Sequence, residues 1–246
     1  MSKTLILIPS RMSASRLPGK PLLKINGLSI ISHVYKKALE ANIGEVYVAT
    51  EDNEILDDVK INGGNAIITS SKHKTGTDRI FEAYKNLNIK NVDYILNLQG
   101  DEPVIDCKDI IKLNNKIINN NLEMGTLACK ISEVHKYTDE NIVKVISKEE
   151  LTENKVVKAE NFLRKMEIQN NKNIYHHVGI YLYKVSILEK IVSLDQTENE
   201  KVNRLEQLRA LENNIDVNLV LGNSSPIGID TFEDYKLVKN LLESKN

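Results

Sequence analysis

The sequence predicts an α/β fold, a doubly wound and mostly parallel sheet with a smaller mixed lobe, and three observations predict it. Short β-branched runs recur as TLILI (4–8), VYVAT (46–50), AIITS (66–70) and YILNLQ (94–99). Helical patterns separate them, which gives a βαβ rhythm. In the first such pattern, SIISHVYKKALEAN, the residues Ile30, Ile31, Val34, Ala38 and Ala41 keep a three-four spacing that lines one helix face. Strands joined by such a crossover lie parallel, with a right-handed connection.

In chain order, TLILI is the first strand and opens into a basic loop, LIPSRMSASRLPGKP (7–21). The crossover helix, VYVAT and AIITS follow, then a polar loop, HKTGTDR (73–79). YILNLQ runs into the acidic turn NLQGDEP (97–103). In the middle, GTLACKI, NIVKVI and NIYHHVGIYLYK are strand candidates around the polar stretch 147–173, read as a separate lobe or subunit contact within about 120–190. NRLEQLRALENN then reads as one helix with Leu205, Leu208 and Leu211 inward, DVNLVL as a strand and DTFEDYKLVKNLLESK as the closing helix. No repeat or long linker appears, so residues 1–246 read as a single domain with that lobe inside it.

A chain of 246 residues buries roughly 70–75% of its unfolded surface, so a sizeable core is available. With 33 basic and 34 acidic residues no overall field favours a nucleic-acid backbone, and any anion site must be local. No run approaches the ~20 apolar residues of a membrane span, and no secretory signal pattern opens the chain; a cytoplasmic protein without membrane insertion is expected. Cys107 and Cys129 are too few and too isolated for a disulfide framework or a zinc cluster, and read as packed thiols.

In open parallel sheets ligands gather beyond the carboxyl ends of the strands, where the basic loop lies. Arg11, Arg16 and Lys20 suit a polyphosphate, since arginine offers a bidentate fork and lysine a point charge. Neither the Walker nor the Rossmann glycine pattern is present, and a solvated basic turn is an equal reading. Asp101 in NLQGDEP stands at the same edge as a candidate Mg²⁺ ligand or a helix cap. Asp230, with Glu233 three residues on, reads alone as a capping box. Arg79 could pair with a carboxylate and His73 with a base or sugar, although either could merely fix its loop. As a strand, HHVGIYLY places His177, Gly179, Tyr181 and Tyr183 on one wet, hydrogen-bonding face. Glu206 and Gln207 sit among leucines, facing either a cavity or solvent.

Taken together, IPSRMSASRLPGKPL, VATED, HKTGTDR, NLQGDEP, NIVKVI, HVGIYLYK, LEQLRALE and GIDTFED resemble, in order and across almost the whole chain, the 3-deoxy-manno-octulosonate cytidylyltransferase (CMP-Kdo synthetase) family. The resemblance implies a nucleotide-diphospho-sugar-transferase-like sheet with a dimerisation lobe, and a homodimer. It implies CMP transfer from CTP to the eight-carbon keto-acid sugar Kdo, with Mg²⁺ required and pyrophosphate released, for lipopolysaccharide assembly. By matching motif, Arg11 and Lys20 hold the CTP phosphates and Arg16 the junction of phosphate and sugar. Asp101 and Asp230 ligate the metal, and Ser71 and His73 lie on the cytosine side. Arg79, Gln99, His177, Tyr181, Glu206 and Gln207 line the sugar pocket. Differences from the family pattern are Ala14 in place of serine, Glu51 in place of aspartate, and AENFLRKMEI (159–168), which keeps Phe162 and Arg164 but has Leu163 for serine and no proline. Alternatives are transfer to 8-amino-Kdo or sialic acid, a non-catalytic nucleotide-sugar sensor, and a glycosyltransferase consuming a CMP-sugar.

Overall fold

A computed structural model describes residues 3–13, 16–166, 173–223 and 225–244. Ala14 and the end of the 159–168 segment lie outside the described residues. The chain divides into two compact units, residues 1–110 with 226–246, and residues 111–225.

The first unit holds β1 (Thr4–Ser10), a small hairpin of β2 (Lys24–Ile25) and β3 (Leu28–Ser29), α1 (Ile30–Ala41), β4 (Gly44–Thr50), α2 (Asn53–Ile61), β5 (Ala66–Ile68), α3 (Gly76–Leu87) and β6 (Tyr94–Asn97). Its strands pair β5-β4-β1-β6, every neighbour parallel, with Ile6 opposite both Val46 and Leu96. Central parallel strands are covered on both faces, and the unbroken Leu5, Ile6, Leu7, Ile8 run is wholly buried. Helix α1 starts at Ser29, whose hydroxyl accepts the Ser32 amide, and ends at Asn42 in the left-handed region, as a polar start and an asparagine stop predict.

In the second unit, after α4 (Cys107–Asn119), come β7 (Met124–Lys130), β8 (Lys144–Ser147), β9 (Val157–Leu163), β10 (Asn173–Lys184), α5 (Val185–Ser193), α6 (Glu198–Asn203), α7 (Gln207–Glu212) and β11 (Asn218–Leu221). The strands pair β10-β7-β11-β9-β8, and β8 pairs back to β10, closing the ring; only β7 with β11 is parallel. Two expectations are corrected here. The polar stretch 147–173 contains the strand β9, whose Val157, Ala159 and Phe162 are buried. NRLEQLRALENN is not one helix: Arg204 turns left-handed at φ 53 and α7 begins only at Gln207. The break has a long-range cause, because the Arg164 guanidinium donates to the carbonyls of Asn203 at 2.7 Å and Arg204 at 3.2 Å.

The chain ends in the first unit with α8 (Phe232–Glu243). Its capping box is one residue later than the sequence suggests. Thr231 caps the Asp234 amide, and the Asp234 carboxylate returns to the Thr231 amide at 2.8 Å. Asp230 is therefore not the cap, and its carboxylate is available elsewhere.

Candidate functional site

In the first unit the basic loop is closed by its own backbone. Gly19, at φ 71, donates its amide to the Met12 carbonyl at 3.1 Å, and Lys20 opens a 3₁₀ turn that carries Pro21. Only glycine takes that φ without strain. Further back, the Met12 amide donates to Asp52 Oδ2 at 2.7 Å, pinning the loop to the end of β4. The acidic turn reaches the same edge through Gly100, where a Cβ would fall 2.9 Å from the Pro9 carbonyl oxygen. A side chain there would push the end of β6 away from β1. The Ile229 amide donates to the Asp101 carbonyl at 2.9 Å and brings in the third segment.

These constraints assemble one charge cluster. Lys20 Nζ lies 2.8 Å from Asp101 Oδ2 and 3.2 Å from Asp230 Oδ1, and Arg16 reaches Asp230 Oδ2 at 2.8 Å. Burial works against the Lys20 charge, but the two aspartates outweigh it and the ammonium pKa is raised. Asp101 is not a cap, since α4 begins at Cys107. Arg11 is exposed on the same loop. Glu102, next in the turn, has its Oε2 shut off from solvent without a hydrogen-bond partner. Burial, then Asp101 and Asp230, push its pKa up to about 8.

Asp101 and Asp230 are hard oxygen donors held around one ammonium, so a positive charge already sits between them and the pair fits a divalent cation. Among the described residues no group of three or more His, Cys, Asp or Glu is arranged to hold a metal ion. A cation here would take two protein carboxylates and complete its shell with phosphate oxygens and water, the habit of Mg²⁺.

At the start of α3, Arg79 is buried and donates to Glu51 and, at 2.7 Å, to the Thr69 hydroxyl. A substrate carboxylate at Arg79 would have to share it with Glu51. His73 contacts Glu82, Ser71 is exposed beside it, and Gln99 is half-buried beyond β6. Glu51 and Glu82 were not selected from sequence, although Glu82 lies one helical turn after Arg79.

In the second unit His177 and Tyr181 do share a face, but that face is buried, not wet. A register shift between Val178 and Tyr181 interrupts the simple alternation. His177 Nε2 lies 2.9 Å from the Tyr181 hydroxyl and 3.1 Å from Thr126 Oγ1, with Phe162 edge-on at 5.0 Å. Thr126, unselected from sequence, comes from β7 across the ladder. Burial, then His176, lowers the His177 pKa to about 3. Burial, then Tyr183 and Glu206, raises that of Tyr181, so both groups are neutral at pH 7. Glu206 stands at the start of α7, and the Gln207 side-chain nitrogen is buried without a partner. An unmet buried donor is costly unless something fills it.

The His177 shift predicts acid sensitivity. Below pH 6.5 the unfolded chain takes a proton that the folded site refuses down to about pH 3. Stability is thus full above pH 6.5 and falls with pH through that window, by up to about 1.4 kcal/mol per unit. Urea unfolding at pH 7, 6 and 5 should show a shallower fall in His177→Gln than in the wild type; equal slopes would exclude this residue as a source.

The cytidylyltransferase family pattern matches residues 5–217. A 3-deoxy-manno-octulosonate cytidylyltransferase of Rhodopseudomonas palustris (strain HaA2) is 38% identical over 241 residues, 98% of each chain. One of Thermodesulfovibrio yellowstonii is 39% identical over 253 residues, again 98% of each. Among solved structures, a CMP:2-keto-3-deoxy-manno-octonic acid synthetase complexed with CTP superposes with TM-score 0.89 at 34% identity over 100% of both chains. A UDP-glucose pyrophosphorylase, at TM-score 0.72 and 14% identity, shares the fold. With relatives this close along its full length, the chain belongs to the cytidylyltransferase family, in the branch of the 3-deoxy-manno-octulosonate cytidylyltransferases.

Proposed function

We propose that this protein transfers CMP from CTP to 3-deoxy-manno-octulosonate, releasing pyrophosphate and forming CMP-Kdo for lipopolysaccharide assembly. The observation that carries the reading is the Lys20–Asp101–Asp230 cluster beside a loop bearing Arg11 and Arg16. Attack of the anomeric hydroxyl on the α-phosphorus needs in-line positioning and charge neutralisation more than covalent help. Arg11 and Lys20 hold the triphosphate and Arg16 the phosphate–sugar junction. Mg²⁺ held by Asp101 and Asp230 would supply Lewis-acid polarisation of phosphate oxygens and acidify a bound hydroxyl.

His177 and Tyr181, both neutral, offer hydrogen bonds to a polyhydroxylated sugar without imposing charge. Gln207 has an unmet donor for the same purpose. In this reading Glu206 belongs to the sugar-binding residues of the second unit, and in the first unit Gln99 and Arg79 are assigned to the sugar and Ser71 and His73 to the cytosine. The 120–190 lobe is read as the dimer contact of a cytoplasmic homodimer.

The test is pyrophosphate release from CTP, Mg²⁺ and Kdo, omitting each in turn, with 8-amino-Kdo and sialic acid as competing acceptors. Release only with all three, fastest with Kdo, is the expected result. Faster release with another acid sugar would reassign the acceptor. No release with any of them would leave a nucleotide-sugar sensor.

A further inference from the structure

Glu82 lies on the second turn of α3 and gathers three partners from its surroundings. Its Oε2 contacts His73 Nε2 and also accepts the Ser70 amide at 2.9 Å, while Asn86 donates to Oε1 at 3.3 Å. Both carboxylate and imidazole are partly buried, with side-chain exposures of 29% and 22%. An ionised carboxylate can only accept, so Nε2 must carry the proton in this contact. With Nε2 donating to Glu82, a ring that carries a single proton presents Nδ1 as an acceptor, and Nδ1 makes no hydrogen bond among the described residues. Burial alone would raise the Glu82 pKa, but His73, the Ser70 amide and Asn86 outweigh it and hold the carboxyl below its usual range, which keeps the group an acceptor around neutral pH.

We infer that Glu82 is a positioning residue that locks His73 as an Nδ1 acceptor for the exocyclic amine of cytosine, and so helps this site choose CTP over UTP. The inference rests on the CTP reading above. Its chemistry is simple: cytosine presents an N4 amino donor where uracil presents a carbonyl acceptor. A ring fixed with its acceptor outward welcomes the first and rejects the second, whereas a freely flipping ring would serve both. Glu82 also anchors the Ser70 amide, so the same carboxylate holds both the ring and the segment 70–73 that carries it.

The experiment pairs a tautomer measurement with a specificity ratio. Long-range ¹H–¹⁵N spectra of ¹⁵N-histidine-labelled protein at pH 8 should show His73 as the Nε2–H tautomer, with Nδ1–H gaining population in Glu82→Ala. In the same variant the KM for CTP should rise about tenfold, the scale of one hydrogen bond, with kcat changed far less and CTP/UTP discrimination reduced by a similar factor. Glu82→Gln, which keeps an oxygen acceptor, should recover most of it. The double variant Glu82→Ala/His73→Ala should be no worse than His73→Ala alone. An Nδ1–H tautomer in the wild type, or unchanged CTP/UTP discrimination in Glu82→Ala, would overturn the inference. Loss of activity with every acceptor sugar would count against the proposed function instead, because the tautomer and the CTP/UTP binding ratio by calorimetry are read without turnover.

Discussion

Replacing Asp101 with asparagine should lower kcat at least about a hundredfold. The side chain keeps its shape but loses its charge, and two things go with it. One of the two carboxylates that could hold a divalent cation becomes a weak neutral ligand, and a metal contact of this kind carries several kcal/mol of transition-state stabilisation, each 1.36 kcal/mol being tenfold in rate. The Lys20 ammonium, 2.8 Å from Asp101 Oδ2, also loses the partner that contributes most to raising its pKa. The fold should hold, because the Asp101 side chain is partly exposed and the bond tying the turn to Ile229 uses the Asp101 backbone carbonyl. Steady-state kinetics across a Mg²⁺ titration check this: the defect should persist at saturating metal. Near-normal turnover there would remove Asp101 from the ligand set.

The particular residues show what could be read in advance. The β1 core, the α1 face and the NLQGDEP turn were legible because each is a local pattern: an apolar run, a three-four spacing, a strand followed by glycine and acid. Asp230 was misread as a cap because GIDTFED admits two overlapping boxes one residue apart, Asp230 with Glu233 or Thr231 with Asp234. What accompanies the choice is remote in sequence, since Lys20 and Arg16 meet the Asp230 carboxylate. Arg164 ends α6 from 39 residues away, which no helical periodicity in NRLEQLR could reveal. The neutrality of His177 likewise comes from burial and a neighbour in the folded sheet, and the Glu51–Arg79 pair joins the end of β4 to α3. The misreadings therefore fall where a distant partner overrides a local signal.

Arg209→Met should destabilise the second unit by about 3–5 kcal/mol. Arg209 and Glu200 are almost completely enclosed, at 3% and 2% side-chain exposure. Arg209 Nε and a terminal nitrogen reach the two Glu200 oxygens at 2.8 and 2.5 Å, a bidentate pairing between α6 and α7. Methionine fills similar volume but leaves the carboxylate buried without its counter-ion, held among the described residues only by the Gln196 side chain at 3.0 Å and the Thr197 amide at 3.3 Å, and that uncompensated charge is the source of the cost. At this chain length the loss corresponds to a Tm lower by about 6–20 °C. The double variant Glu200→Leu/Arg209→Met removes both charges and should be more stable than the single one. It should not fully reach the wild type, because Glu200 also closes the capping box with Thr197, worth about 1 kcal/mol. Thermal and urea unfolding of the three proteins decides the matter. A double variant weaker than Arg209→Met would mean that packing at this joint, not the stranded charge, sets its stability, and the segment carrying Glu206 and Gln207 would then depend on shape alone.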